Sequence, residues 1–440
     1  MLSDRYTSIV IPPPPGAALI TDGKWHFVGV DPVEAQGWKL YISASRPHFV
    51  GTLQAVSPIF ERHNISYKYV ATDKALRKMN AGLYGLSQVG KVIVAYLRAD
   101  QVSDDLVMQL KGALSPFRYT SPKPPFAIEM GGGYPLSYRF GSFHGTTLNV
   151  GNRQIEDDRS RAAQWIRAEL QDPFLPFLEA PPDRTAFDQL LAGFPIYEVM
   201  SHGGKGGVFA ALDMSSETCT ERVLKVGYRC GMTLPDGRDG MDLLRTEHQF
   251  FRLLHVHNLQ HVAPAMHAFH EYEDRNVMIL DRVDGTSLFH LKRSGKLTIE
   301  HLESALHILA HIHAAKLYVG DPKLANFLAS GNGEVLAIDF ESAGEMVTAA
   351  FDSIRTYHFA NPTISDVATR ERVHFLYSVL HRELRDSFSE SDRVIDLPAF
   401  LLSFDSADDI EAWAVEAMKR ELFALNPESV GTCLAAAQLS

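Results

Sequence analysis

Cysteine is scarce: Cys219, Cys230 and Cys433 are the three thiols in 440 residues. Three scattered thiols cannot build a disulfide framework, and no two stand close enough for a metal-binding pair. A reducing cytoplasm is therefore the expected setting. Long hydrophobic runs are missing too. No stretch of about 18 apolar residues occurs, which argues against a membrane span. The N-terminus has no basic segment followed by an apolar one, so no secretory signal is expected. Positive charge is in short supply: 42 Lys and Arg face 53 Asp and Glu, a formal net charge of −11. That balance argues against general binding to nucleic acid or anionic membranes, though a local basic site for a phosphate can be embedded in it. Internal repeats and extended low-complexity tracts are also absent. What is present is an ordinary globular composition, 45% hydrophobic and 22% charged. The chain is longer than one hydrophobic core usually supports, and two domains are expected.

Residues 1–24 contain Ile11-Pro-Pro-Pro-Pro-Gly16 and read as a stiff extended arm. Residues 25–150 read as a small α+β domain. Trp38-Lys-Leu-Tyr-Ile-Ser43 alternates, with Trp38, Leu40 and Ile42 on one face and Lys39 and Tyr41 on the other. Val50, Leu53, Val56, Ile59 and Phe60 recur at helical spacing. In the next strand, Ser66–Val70, Lys68 points away from Tyr67 and Tyr69. A β-rich run, Lys91–Leu97, precedes Ser103-Asp-Asp, an N-cap and acidic first turn for a helix to Leu114. Prolines after Asp172 and Ala180 mark a connecting segment, 151–185, before a change of pattern. Strand-like pieces then surround a glycine cluster, and helical patterns dominate from about 299 onward.

The second half carries the sharper chemistry. Asp321-Pro-Lys-Leu-Ala-Asn326 follows an expected helix over 299–315, and Ile338-Asp-Phe-Glu341 closes a nearby strand. Phosphoryl transfer needs an acceptor for the hydroxyl proton beside oxygens that fix Mg²⁺ on nucleotide phosphates. Asp321 suits the first task, Asn326 and Asp339 the second, and Lys323 is placed to reach the transferring phosphate. Upstream, Gly203, Gly204, Gly206 and Gly207 form a hairpin able to approach phosphates closely. Lys225 lies in an apolar strand where burial demands a charged partner, and Glu247 in the helical run 243–254 is the candidate. Asp281-Arg-Val-Asp-Gly285 is expected at a hinge. His311 and His313, two apart on a helix, do not share a face and make no metal pair.

In this order the elements resemble the protein kinase superfamily. The resemblance implies a bilobal domain at 186–440, with an N-lobe to about 285 and a C-lobe beyond it. It implies ATP or GTP with Mg²⁺ as cofactors, and Lys225 on the α/β-phosphates. Two departures stand out. Val319 occupies the place of the usual histidine two positions before the catalytic aspartate, and Glu341 replaces the glycine of Asp-Phe-Gly.

The first domain resembles the lyase domain of class III lanthionine synthetases, relatives of bacterial phosphothreonine lyases. The resemblance covers roughly 25–175 and rests on Gly37-Trp-Lys-Leu-Tyr-Ile-Ser-Ala44, Ser66-Tyr-Lys-Tyr69, Gly90-Lys-Val-Ile-Val94, Tyr138-Arg-Phe-Gly-Ser-Phe143 and Asp172-Pro-Phe174. In that family a kinase phosphorylates Ser or Thr of a ribosomally made precursor peptide, and the lyase eliminates the phosphate to a dehydroamino acid. The resemblance implies Lys68 as base, Arg139 and Lys39 as phosphate contacts, and Tyr41 where the family has a histidine acid. A second family arginine has no counterpart in Glu129-Met-Gly-Gly-Gly-Tyr134. Residues 342–440 read as helical and long enough only for the rest of a kinase C-lobe, so the zinc cyclase of such synthetases is not expected in this chain, and ring closure would occur elsewhere, in a separate enzyme, or not at all. Two alternatives stay open: a first domain that only binds substrate, and a pseudokinase scaffold.

Overall fold

The computed structural model describes residues 19–29, 34–158, 170–180, 183–215, 219–234 and 236–346, with positions 367, 368, 371, 372, 374, 375, 378 and 379. The proline run and most of the expected C-terminal helical region lie outside the described residues.

The first unit is a seven-stranded antiparallel sheet. Its strands are β1 (Leu19–Thr21), β2 (Trp25–Val28), β3 (Gln36–Ile42), β4 (Ser66–Val70), β5 (Ile93–Leu97), β6 (Ile128–Glu129) and β7 (Leu136–Ser142). Their order is β1-β2-β4-β5-β3-β7-β6. β1 is formed by the last part of the expected arm, because Leu19–Thr21 finds a ladder partner in His26–Val28. The helices are α1 (Phe49–Arg62), α2 (Asp73–Asn80) and α3 (Asp104–Leu114). The expected cap of α3 is present: Ser103 Oγ accepts from the Leu106 N–H at 3.3 Å, ahead of Asp104 and Asp105. Trp38, Leu40 and Ile42 share one core with Leu53, Val56 and Phe60 of α1 and Leu106 and Leu110 of α3. A hairpin, β8 (Thr147–Val150) and β9 (Arg153–Glu156), follows. The chain then returns to this core: Tyr138 donates to Asp172 at 2.6 Å, and the fully buried Phe174 packs on the Tyr138 ring at 4.4 Å.

The second unit opens with α4 (Thr185–Gly193) and a five-stranded antiparallel sheet. Its strands are β10 (Ile196–His202), β11 (Gly206–Asp213), β12 (Thr220–Tyr228), β13 (Met266–Glu271) and β14 (Arg275–Asp281), in the order β10-β11-β12-β14-β13. Between β12 and β13 lies α5 (Gly240–Val256), started by Asp239, which accepts from the Met241 and Asp242 N–H groups. Beyond Asp281 come β15 (Gly285–Ser287), α6 (Leu288–Arg293), α7 (Ile299–Ala314) and β16 (Leu317–Tyr318). β17 (Phe327–Ser330), β18 (Val335–Ala337) and β19 (Gly344–Glu345) complete the described strands. One apolar cluster joins both parts, with Leu244, Phe250 and Leu254 of α5 against Leu302, Leu309 and Ile312 of α7. The chain is thus mixed α+β, as the sequence predicts.

The two units touch. The Gly204 N–H donates to the Ala81 carbonyl at 3.2 Å, and Lys123 pairs with Asp274 at 3.2 Å. Between them lies a cavity of about 450 Å³, walled by Pro122, Pro124, Tyr134, Phe187 and Tyr272.

Candidate functional site

Asp321, Asn326 and Asp339 are assembled by two short turns. The chain leaves β16 through Gly320, whose φ of +86° and closeness to the Ser342 carbonyl (2.2 Å from a hypothetical Cβ) admit no side chain. Asp321 follows, buried at 5% exposure. The Asn326 amide nitrogen donates to the Asp321 carbonyl at 3.0 Å, which leaves its side-chain oxygen as an acceptor for a cation. The Asn326 carbonyl accepts from the Ile338 N–H at 2.9 Å, tying the Asp339 turn to the same loop. Asp339 itself sits at φ +68°, a left-handed conformation that aspartate tolerates better than most residues. Lys323 Nζ lies 2.5 Å from Asp321 Oδ2.

Lys225 reaches this group from the middle of β12, where Val208 and Met278 flank it on neighbouring strands. Its ammonium lies 2.6 Å from Glu247 Oε2 and 2.9 Å from Asp339 Oδ1. Glu247, on α5, is 1% exposed and also accepts from the Phe340 N–H at 3.2 Å. Burial works against the Lys225 charge, but two carboxylates outweigh it and hold the ammonium above the usual lysine range. Burial likewise pushes Asp339 up, yet Lys225 and Lys205 together bring its carboxyl well below the usual range. Burial raises the Glu247 carboxyl, with Lys225 opposing. The expected Lys225–Glu247 partnership is therefore in place, and Asp339 joins it.

The glycine hairpin connects β10 and β11, closed by the Gly203 N–H on the Gly206 carbonyl at 2.9 Å. Packing leaves no room for a side chain at two of its glycines and little at a third, whereas a Cβ on Gly203 would come no nearer than 3.4 Å to the Ala81 carbonyl oxygen. A Cβ on Gly204 would lie 1.6 Å from the Asn80 carbonyl oxygen, and one on Gly206 1.8 Å from that of Val226. A Cβ on Gly207 would meet the Phe209 ring at 2.4 Å.

Glu371 went unnoticed in the sequence. This carboxylate, 3% exposed, accepts from the Val319 N–H at 2.9 Å, from the Gly320 N–H and from His313 Nε2 at 2.9 Å. It fixes the turn that delivers Asp321, where Val319 itself offers no polar side chain. His374 Nε2 stands 3.8 Å from Asp321 Oδ1. Both come from a region whose helical pattern carries no signal for contact with a loop some 50 residues away.

In the first unit, strand register places Lys39 opposite Arg139, and sets Tyr41 and Lys68 on either side of Val94. Side chains alternate along a strand, so Lys39, Tyr41, Lys68 and Arg139 share the face opposite Trp38, Leu40 and Tyr67. Lys68 Nζ lies among three rings, 4.6 Å from Trp25, 5.6 Å from Phe27 and 5.7 Å from Tyr96. Tyr41 is 4% exposed, with Lys91 Nζ 4.7 Å from its ring centre. Arg139 is buried and donates to the buried Asp157 and to the Asp158 carbonyl at 2.9 Å. Asp157 also accepts from the Ser142 N–H at 3.0 Å, and Lys39 donates to the Ser142 carbonyl. Asp157 and Lys91 were missed; Asp157 falls in what the sequence assigns to a connecting segment.

Among the described residues no group of three or more His, Cys, Asp or Glu is arranged to hold a metal ion. Mg²⁺ asks less of a protein, usually one or two carboxylates completed by water and phosphate oxygens, and Asp339 with Asn326 fits that donor set. No helix among the described residues is long and apolar enough to cross a membrane.

Residues 7–169 match the family model described as RamC, N-terminal domain. Over 390 residues the chain is 22% identical to the probable SapB synthase of Streptomyces coelicolor (strain ATCC BAA-471 / A3(2) / M145). That match takes in 81% of this chain and 41% of the relative, so the chain spans about two fifths of the relative's length.

Proposed function

We propose that this chain is a lanthipeptide-type peptide-modifying enzyme that uses a nucleotide to phosphorylate Ser or Thr of a ribosomally made precursor, after which its first unit eliminates the phosphate. The similarity to a synthase supports peptide modification in general. The observation that carries the phosphoryl-transfer reading is Lys225 bridging Glu247 and Asp339 while Asn326 bonds Asp321. ATP or GTP with Mg²⁺ supplies the phosphoryl group and offsets its charge. Asn326 and Asp339 would hold the cation, and Lys225 would meet the α/β-phosphates. Asp321 accepts the proton of the attacking hydroxyl, with Lys323 orienting that carboxylate and facing the phosphate.

In the first unit Lys68 would take the Cα proton, and Lys39 and Arg139 would meet the departing phosphate, as the shared sheet face allows. A second reading, a face that only holds the phosphopeptide, is favoured by the grip of Asp157 on Arg139. Mass spectrometry of a Ser/Thr peptide incubated with Mg²⁺ and nucleotide separates the two. Phosphorylation adds about 80 Da; phosphorylation followed by elimination subtracts about 18 Da from the starting mass. If no Ser/Thr precursor changes mass, the proposal fails.

Glu371 is expected to act as a positioning residue in this scheme. Glu371→Ala should lower kcat by about 10- to 100-fold through misplacement of Asp321. Nucleotide KM should be retained, and Glu371→Gln should recover part of the loss. Steady-state kinetics check this, and an equal loss of kcat and nucleotide affinity would contradict it.

A further inference from the structure

A second lysine–glutamate pair stands beside Asp339. Lys205, at the tip of the β10–β11 hairpin, donates to Glu341, two residues past Asp339. The hairpin backbone is wedged. The Gly204 N–H is bonded to the Ala81 carbonyl, and the Lys205 carbonyl accepts from the Tyr228 N–H at 2.9 Å. A Cβ on Gly231 would lie 1.6 Å from the Gly204 carbonyl oxygen, and one on Gly240 1.9 Å from that of Lys205. α2 of the first unit, the turn after β12 and the start of α5 therefore fix where the Lys205 side chain departs. That side chain remains 40% exposed, while its partner carboxylate is 10% exposed.

Charge gives the pair a purpose. Lys205, Lys225 and Lys323 face Asp339, Glu341, Glu247 and Asp321. Lys225 is shared between two carboxylates and Lys323 rests on Asp321. Glu341, where the kinase resemblance leads one to expect glycine, adds a carboxylate beside the place a polyphosphate would occupy. An unneutralised carboxylate there would repel the nucleotide. Burial opposes charge on Lys205, but Asp339 and then Glu341 overcome it and keep the ammonium protonated. An ammonium has three donors, so one held by Glu341 leaves two for phosphate oxygens.

Resting on the phosphoryl-transfer function above, we propose that Lys205 is a second lysine contact for the nucleotide's phosphate chain and that Glu341 positions it there. The pair then does for the hairpin what Glu247 does for Lys225. Because the first unit seats the hairpin through Ala81, this contact also depends on the docking of the two units.

The test is calorimetric binding of MgATP, MgGTP and adenosine to the full chain, its Lys205→Ala and Lys205→Arg variants, and Lys205→Ala combined with Glu341→Gln. Lys205→Ala is expected to weaken the preferred triphosphate by about 10- to 100-fold. Adenosine affinity should stay unchanged and Lys205→Arg should restore part of the loss. Adding Glu341→Gln to Lys205→Ala should recover affinity, because the repelling carboxylate goes with its counter-ion. If the parent chain binds triphosphate and Lys205→Ala binds it equally, the inference is overturned while the proposed function stands. An equal loss for adenosine and triphosphate likewise overturns it, since the lysine then only shapes the hairpin. A parent chain that binds neither triphosphate overturns the proposed function and this inference with it.

Discussion

Asp339→Asn should lower phosphorylation of a Ser/Thr peptide by about a thousandfold or more while leaving the fold intact. Both halves of that expectation come from the geometry. The backbone at 339 has a φ of +68°, and asparagine accepts that conformation as readily as aspartate does. The substitution keeps the volume and removes only the charge. Lys225 is not stranded, because Glu247 remains 2.6 Å away. What would be lost, on the proposed function, is the anionic oxygen that pairs with Asn326 to hold Mg²⁺ on the phosphates. The low carboxyl pKa of Asp339, set by Lys225 and Lys205 against burial, keeps this charge present throughout the neutral range in the parent protein. A folded-state pKa below the unfolded value stabilises the fold above the unfolded pKa, and that contribution disappears only as pH falls through the folded one. The neutral amide forfeits that contribution, so at neutral pH the variant should melt at a modestly lower temperature yet remain folded, while phosphopeptide yield collapses. Yield within tenfold of the parent would remove Asp339 from the metal site. Asp321→Asn makes a companion test: it should abolish transfer yet leave MgATP affinity close to the parent value, because its proposed task concerns the hydroxyl and not the phosphates.

The residues of this site were legible because each has a narrow chemical reason to be where it is. A lysine in an apolar strand needs a carboxylate, and the helical run 243–254 offers one in Glu247. The phase of β3 is legible from simple alternation, which puts Lys39 and Tyr41 on the face opposite Trp38 and Leu40, as the strand register does. Contacts between distant segments left no comparable trace. Glu371 sits in a helical pattern that reads like any other, yet its carboxylate secures the Asp321 turn. Phe174 looks like an aromatic stranded between prolines, and only the folded sheet reveals the slot beside Tyr138 that it fills. The glycines mislead in a more instructive way. Close approach to phosphate is a sound reason for glycine, but the nearest obstacle to a side chain at 204 is a carbonyl of the other unit. Local chemistry is written in residue types, whereas packing between units is written in shapes that a single sequence does not display.

The largest effect expected in the first unit is on dehydration: Lys68→Ala should reduce dehydrated product by about 10²- to 10⁴-fold and let phosphopeptide accumulate. Elimination removes the Cα proton, forms the Cα–Cβ double bond and breaks the Cβ–O bond, with the phosphate carrying away the electron pair. The register separates these tasks across the sheet. Lys68 on β4 and Tyr41 on β3 flank Val94 of β5, and Arg139 lies one strand further, on β7. Neighbouring strands are about 4.8 Å apart, so roughly 10 Å of backbone divides Lys68 from Lys39 on β3 and roughly 14 Å divides it from Arg139 on β7, room for a phosphorylated side chain between them. Lys68 lies among the rings of Trp25, Phe27 and Tyr96, with its ammonium 4.6 Å from the nearest ring centre. Phosphorylation should be unaffected in the variant, since the site proposed for it lies in the other unit. Asp157→Asn separates the readings of Arg139: loosening this ion pair should raise dehydration if the arginine must turn toward phosphate, and lower it if Asp157 holds the guanidinium in its working position. Unchanged dehydration in Lys68→Ala would show that the base lies elsewhere. Parent chain that only ever adds about 80 Da, with no dehydrated product, would leave the first unit as a holder of phosphopeptide.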